Sequence, residues 1–117
     1  MAEKAKAPNG KLGVMVVGLG AVASTFMTGV LMTRKGLAKP VGSMTQYDKI
    51  RVGRGENKKY LHYKDIVPLA DLNDIEFAAW DVYPVNAYQS AVNAEVLKAK
   101  DIEPVREELE KIVAMPA

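Results

Sequence analysis

A glycine-containing turn follows a short apolar run near the start of the sequence. The run LGVMVV occupies residues 12–17, and the residues after it match the pattern GxGxx(G/A). In that pattern the first glycine permits a tight turn, the second lets a pyrophosphate approach the backbone, and the small last residue lets a helix pack on a strand. Amide groups at the start of the helix would then face the anion. We therefore predict that a dinucleotide binds at Gly18, Leu19, Gly20, Ala21, Val22 and Ala23.

A dinucleotide site of this kind also needs an acidic residue at the end of the next parallel strand, usually about 20 residues later, to accept hydrogen bonds from the adenosine ribose. The first acid after Ala23 is Asp48, which precedes KIRV and would lie at the start of a strand. Asp81 follows the apolar run IEFAAW and would lie where a strand ends. We therefore predict Asp81 as the ribose ligand. Its late position requires an insertion, which we place at about residues 37–74.

The segment after the turn predicts a helix over residues 21–35. Apolar side chains recur there at spacings of three and four, and Gly36 is suited to the C-cap of this helix. A membrane-spanning helix is the alternative, because residues 12–33 carry no charge and could cross a hydrocarbon core of about 30 Å. The β-branched residues of LGVMVV and the two glycines that follow favour a strand, a turn and a helix, with the strand buried on both faces of a parallel sheet.

The remainder of the chain predicts a small hairpin and two further helices. KIRV and KYLHY flank the glycine-bearing GRGEN inside the insertion, which is typical of two short strands joined by a turn. Asn86 is suited to cap a helix over about residues 87–100. Residues 103–113 predict a last helix with a solvated acidic face. Its predicted apolar stripe consists of Val105, Leu109, Ile112 and Val113. The predicted apolar face of the first of these helices consists of Ala87, Ala91, Val92 and Val96.

The composition narrows the classes of function. The net charge is +2, so we expect neither nucleic acid nor an acidic membrane surface as a partner. The chain contains no cysteine, which suits a reducing cytoplasm. Residues 1–10 are polar and are expected to form a flexible tail, since a signal peptide would need an apolar stretch there. His62 is the only histidine, so a histidine cluster is excluded and we expect no metal.

Three motifs resemble the inositol-1-phosphate synthase family in its bacterial form. VGLGAVAST at residues 17–25 is similar to the family's nucleotide turn, GSMTQ at residues 42–46 to a motif that its members share, and AWDV at residues 79–82 to the end of its second strand. The resemblance implies an α/β chain with a partial Rossmann-like dinucleotide-binding fold, in which residues 11–117 form the N-terminal part of the NAD-binding domain. It also implies that NAD phosphates lie on the turn and that Asp81 holds the adenosine ribose.

The resemblance further implies an activity and an assembly. Family members are isomerases of inositol and phospholipid biosynthesis that convert glucose 6-phosphate to inositol 1-phosphate by oxidation, aldol closure and reduction, and they are usually homotetramers. Their catalytic lysines lie in a later part of the sequence, so we expect no catalytic residue in this chain and no activity of the chain alone. One departure is Ala21-Val22-Ala23, where many eukaryotic members have glycine and asparagine, so asparagine contacts to the cofactor are not carried over.

Other functions stay open at this point. Many dehydrogenases share the glycine turn, so the chain could be part of another NAD-dependent oxidoreductase, although GSMTQ argues against that interpretation. A small non-catalytic nucleotide-binding protein or a membrane-anchored protein could also use these residues. A glycine turn that binds no ligand is the simplest alternative.

Overall fold

The computed structural model describes residue 6 and residues 9–117, so the predicted N-terminal tail lies largely outside the described residues. Three strands form one sheet and two form a separate hairpin. The strands are β1 (Leu12–Val17), β2 (Lys49–Val52), β3 (Lys59–His62), β4 (Ile75–Asp81) and β5 (Met115–Pro116). The helices are α1 (Ala21–Arg34), α2 (Met44–Tyr47), α3 (Tyr63–Ile66), α4 (Ala87–Ala94), α5 (Ala99–Ile102) and α6 (Arg106–Glu110). Short 3-10 turns occupy Gly55–Asn57, Leu72–Asp74 and Glu103–Val105.

The predicted strand, turn and helix at the start of the chain are confirmed. β1 covers the whole of LGVMVV, and α1 begins directly after the glycine turn. Gly36 follows the end of α1 with φ +70°, the left-handed conformation that glycine adopts most readily after a helix. In the part of the chain that the structure describes, no helix is long and apolar enough to cross a membrane.

β4 lies parallel to β1 along its full length, from the pair Leu12 and Ile75 to the pair Val17 and Trp80. Because both strands run in the same direction, their carboxyl ends meet at one edge of the sheet. β5 lies parallel to the other side of β4, through the pair Trp80 and Met115. The sequence predicted only the first two strands of this sheet, since a two-residue strand that contains a proline has no recognisable pattern.

The prediction that β1 is buried on both faces is wrong for this chain. Side chains alternate between half-buried and exposed along the strand, and Met15 and Val17 are 58% and 84% exposed. The helices pack against the other face of the sheet, which carries Val16 and the fully buried Ala79. One face of β1 therefore presents apolar side chains to solvent.

The insertion contains the predicted hairpin. β2 and β3 pair in antiparallel register from Lys49 with His62 to Val52 with Lys59. Gly53 allows the turn, because its φ is +89° and a side-chain carbon there would come within 2.6 Å of the Asn57 carbonyl oxygen. The end of the insertion is held against α1 by Arg34, whose guanidinium donates hydrogen bonds to the carbonyl oxygens of Leu72 and Ile75.

The helix predicted for residues 87–100 begins as expected but is shorter. Asn86 and Gln89 form a reciprocal capping box at its start. α4 ends at Ala94, because Glu95 adopts a left-handed conformation with φ +57°, and α5 follows as a separate turn. Val92 and Val96, expected on the apolar face, are exposed. The buried residues of α4 are the small residues Ala87, Ser90 and Ala91, and the helix packs against α1.

The last predicted helix, residues 103–113, is also shorter than expected. A 3-10 turn leads into α6, which ends at Glu110, and Val113 lies beyond the helix in an isolated bridge with Asn86. Of the four residues predicted on its apolar stripe, Val105 and Leu109 are fully buried and Ile112 is partly buried against the core, whereas Val113 is exposed. Together with α1, α4, α5 and the sheet, the two fully buried residues form one core, composed of Leu19, Ala23, Met27, Leu31, Ala79, Ala87, Ala91, Ile102, Val105 and Leu109.

Candidate functional site

The glycine turn is fixed against the end of β4 by two successive backbone amides. Gly18 has φ +95°, and its N–H donates to the carbonyl oxygen of Trp80 at 2.7 Å. The N–H of Leu19 donates to the Oδ2 atom of Asp81 at 2.8 Å. Gly20 then forms the N-cap of α1 in an extended conformation and has no side chain to accept a hydrogen bond from the first turn of the helix. Amide groups at this helix start are therefore available to an anion.

The Asp81 carboxylate uses both of its oxygen atoms within the protein. Oδ1 accepts the N–H of Tyr83 at 3.0 Å, while Oδ2 accepts the N–H of Leu19. The hydrogen bond from Tyr83, and next that from Leu19, lower the pKa of Asp81 below its ordinary value of 3.8. Asp81 is thus an anion at neutral pH. Each oxygen can accept a second hydrogen bond, so a pair of hydroxyl groups can still bind this carboxylate.

An open cleft of about 890 Å³ lies between the turn and α4. This volume falls within the range of small-molecule sites, roughly 300 to 1,000 Å³. From the turn and the strand end, the cleft is lined by Leu19, Gly20, Ala21 and Asp81, and from the segment beyond by Tyr83, Pro84, Val85, Tyr88, Gln89 and Val92, among others. The carboxylate, the helix start and an apolar wall therefore face one space, as an adenosine diphosphate group would require.

The absence of a side chain at position 20 keeps this cleft open beside the turn. The φ of Gly20 is −111°, a value that any residue adopts, and a side-chain carbon built there would meet no atom of the described residues within 4 Å apart from its neighbours in sequence. Packing within the protein therefore does not require glycine at this position. In the GxGxx(G/A) pattern a glycine at this position lets a pyrophosphate approach the backbone, and that role for Gly20 stays a prediction.

The comparisons with known proteins agree with this geometry. The model of the NAD-binding family described as myo-inositol-1-phosphate synthase matches residues 12–117. The chain belongs to this family. The match includes the insertion as well as the glycine turn, so the other NAD-dependent oxidoreductases that the turn alone left open are not favoured. The expected cofactor, NAD, is the cofactor of this family's domain.

Relatives from distant organisms match the same region. Inositol-3-phosphate synthase 1 of Bacteroides thetaiotaomicron is 53% identical over 100% of this chain, which covers 27% of that protein. Inositol-3-phosphate synthase 1 of rice, Oryza sativa subsp. japonica, is 35% identical over 91% of this chain and 23% of its own length. The chain therefore spans about a quarter of the curated relatives that it matches.

A solved structure supports the fold. The crystal structure of inositol-3-phosphate synthase from Caenorhabditis elegans superposes with a TM-score of 0.79 at 28% identity, over 90% of this chain and 23% of that one. The predicted α/β fold of Rossmann-like type and the resemblance to this family are both confirmed. This chain corresponds to the NAD-binding region of the family.

The predicted cofactor-binding residues do not all lie in the cleft. Leu19, Gly20, Ala21 and Asp81 line the cleft, and Gly18 shapes the turn below it. The Val22 side chain is 85% exposed and lies outside the cleft, and the Ala23 side chain is buried in the core between α1 and the sheet. Only backbone groups of Val22 and Ala23 can therefore contribute to anion binding. Their assignment to the cofactor stays a prediction.

Tyr88 is a wall residue of the cleft that the sequence did not single out. Its hydroxyl group donates to Glu103 Oε1 at 2.6 Å, and the Arg106 guanidinium lies 4.4 Å from the ring centre. The hydrogen bond to Glu103 raises the pKa of Tyr88, so its hydroxyl stays protonated. These contacts fix the Tyr88 side chain at the wall of the cleft. The sequence position of Tyr88 could have indicated this role, because residues that follow the end of a strand line the cleft beyond it.

Two other conspicuous features lie outside this cleft. His62 ends β3, and GSMTQ forms the start of α2, with Ser43 and Gln46 lining a separate apolar depression of about 480 Å³ beside α1. Over residues 9–117, no group of three or more His, Asp or Glu side chains is arranged to hold a metal ion.

Proposed function

We propose that this chain holds the adenosine diphosphate half of NAD for an inositol-1-phosphate synthase. The observation that carries the proposal is the cleft in which an ionised Asp81 and the open helix start at Gly20 face each other. Asp81 would accept hydrogen bonds from both ribose hydroxyls, and amides of the turn would bind the pyrophosphate. The wall from Tyr83 to Tyr88 would contact adenine.

The activity proposed for the whole protein follows from the family. It is an isomerase that converts glucose 6-phosphate to inositol 1-phosphate. The bound cofactor would accept a hydride as NAD in the oxidation and would return it as NADH in the later reduction. Residues of this chain orient the cofactor, and the acid and base groups are proposed to lie in other parts of the protein. A homotetramer in the cytoplasm is the assembly and location we propose. The lack of cysteine supports the location.

Calorimetric titration of the purified chain with NAD tests the cofactor assignment. We expect saturable binding by the parent chain and no detectable binding by the Gly20→Val variant, because a side chain at the helix start would obstruct the pyrophosphate. Helical content should be unchanged, because a side-chain carbon at position 20 has open space around it. Gly13→Val is the matched control. Gly13 lies in β1, and among the described residues a side-chain carbon there also meets nothing within 4 Å beyond its neighbours in sequence. Equal NAD affinity of the parent and Gly20→Val would contradict the assignment.

A further inference from the structure

The hydrogen bond between Leu19 and Asp81 links two parts of the cleft across 62 residues of sequence. The Leu19 side chain is only 2% exposed and is part of the core, while its backbone N–H points to the carboxylate at the end of β4. The preceding amide, from Gly18, binds a backbone carbonyl oxygen of the same strand. Of these two hydrogen bonds between the turn and β4, the one from Leu19 therefore depends on the Asp81 side chain.

Loss of that side chain would leave the turn with a polar group that has no partner. The Leu19 N–H is partly buried, and a buried donor without an acceptor is unfavourable. Asparagine would repair this only in part, because its side chain has a single acceptor oxygen whereas Asp81 accepts from both Leu19 and Tyr83. The conformation of the turn thus depends on a carboxylate at position 81 before any ligand binds.

We propose that Asp81 is a positioning residue for the phosphate-binding turn, in addition to its role as a ribose ligand. Through the Leu19 amide it holds the turn in the conformation that leaves the helix start open at Gly20. The expected effect of Asp81 on ligand binding rests on the proposed function. Its effect on the conformation of the turn does not, because the hydrogen bond forms in the protein without ligand. Its consequence is that Asp81 contributes to the affinity for a ligand that has no ribose hydroxyl groups.

Binding of ADP and of 2′,3′-dideoxy-ADP to the parent chain and to Asp81→Ala tests this consequence. If Asp81 acted only on the ribose, the substitution would weaken ADP binding and leave the affinity for the dideoxy compound unchanged. We expect the dideoxy compound to lose affinity as well, by about two- to tenfold, the range for one hydrogen bond. Asp71→Ala is the control, because Asp71 also accepts a nearby backbone N–H, from Asn73, but lies outside the cleft. An unchanged dideoxy-ADP affinity in Asp81→Ala overturns the proposal.

Amide hydrogen exchange measured by NMR tests the turn without any ligand. In Asp81→Ala we expect faster exchange of the Leu19 N–H, while the Gly18 N–H keeps its protection because its acceptor is the Trp80 backbone. Unchanged exchange at Leu19 overturns the proposal. If Asp81→Ala does not fold, the coupling across the hydrogen bond between the Leu19 nitrogen and the Asp81 carboxyl carbon is measured in the parent chain, and its absence has the same meaning. A parent chain that binds neither ADP nor NAD contradicts the proposed function alone, since these measurements still decide the role of Asp81 in the turn.

Discussion

The backbone nitrogen of Gly18 lies 2.7 Å from the carbonyl oxygen of Trp80, to which its N–H donates a hydrogen bond. Gly18 directly follows Val17, which pairs with Trp80 at the end of the β1–β4 register. The parallel pairing therefore continues into the turn. Since Asp81 directly follows Trp80, this continuation determines where its carboxylate lies relative to Gly20. The register of two strands, set by their apolar residues, thus aligns the acidic and the phosphate-binding parts of the cleft.

We expect Asp81 to select NAD over NADP. Its lowered pKa keeps the carboxylate ionised, so it would repel a phosphate group on the 2′ oxygen of the ribose. No Lys or Arg occurs among the described residues that line the cleft, so no cation is placed there to receive that phosphate. The parent chain should bind NAD at least about tenfold more tightly than NADP.

Titration of the parent and of Asp81→Ala with both cofactors measures this preference. The variant should bind the two with similar affinity, whereas Asp71→Ala should keep the preference of the parent because Asp71 lies outside the cleft. Equal affinities in the parent chain would remove Asp81 from the role of selecting the cofactor.

Stability should depend on the ionisation of Asp81 under acidic conditions. Its pKa is lower in the folded chain than its ordinary value of 3.8, so the ionised carboxylate stabilises the fold fully above that value. As the pH falls below 3.8 and through the folded pKa, the carboxylate is protonated and the stabilisation is lost. Urea unfolding at a series of pH values from neutral to strongly acidic should show a smaller acid loss of stability for Asp81→Asn than for the parent. Parallel curves for the two proteins would show that Asp81 contributes nothing to this loss.

Truncation of a core leucine should destabilise the chain strongly. Leu109 is fully buried in the core below α1 and α4, and removal of a buried leucine side chain leaves a cavity that costs about 2 to 5 kcal/mol. Leu109→Ala should therefore unfold at a much lower urea concentration than the parent. Leu37→Ala is the matched control because Leu37 is 55% exposed, and it should change the midpoint little. A similar loss in both variants would contradict the assignment of the core.

Local patterns were sufficient to predict the elements that carry the cleft. The glycines after LGVMVV, the helical spacing that follows and the end of IEFAAW at Asp81 are each visible within a few residues of sequence. The capping residue Asn86 is visible in the same way. Such signals locate the start of a helix or turn well, because one or two residues, such as a glycine or a capping side chain, determine where it begins.

Other features depend on contacts that no local pattern contains. The bond from Leu19 to Asp81 follows from the register of β1 and β4, and α4 ends because Glu95 takes a left-handed conformation that its residue type does not predict. Continuous apolar character in β1 suggested two covered faces, but the helices of this chain cover only one, and Val17 remains exposed. Tertiary contacts therefore determine the hydrogen bond to Asp81, the end of α4 and the exposure of β1.

The chain alone should form no inositol phosphate when NAD and glucose 6-phosphate are both supplied in excess. Removal of a proton next to a ketone needs a base and an acid with suitable pKa values in a closed site. The cleft at Asp81 is open, and among the described residues that line it Asp81 is the acidic group, already committed to two backbone amides. His62 lies on the hairpin, and the lysines near it, Lys58 and Lys59, are exposed.

Mass spectrometric detection of inositol phosphate in reactions with the purified chain measures this outcome, and the Bacteroides relative, which is about four times as long, serves as the positive control. NAD binding by the same preparation shows that the chain is folded. Product that forms with the parent chain and disappears in Asp81→Ala would contradict the prediction. It would place the acid and base groups within these 117 residues, with His62 and the hairpin lysines as the first candidates.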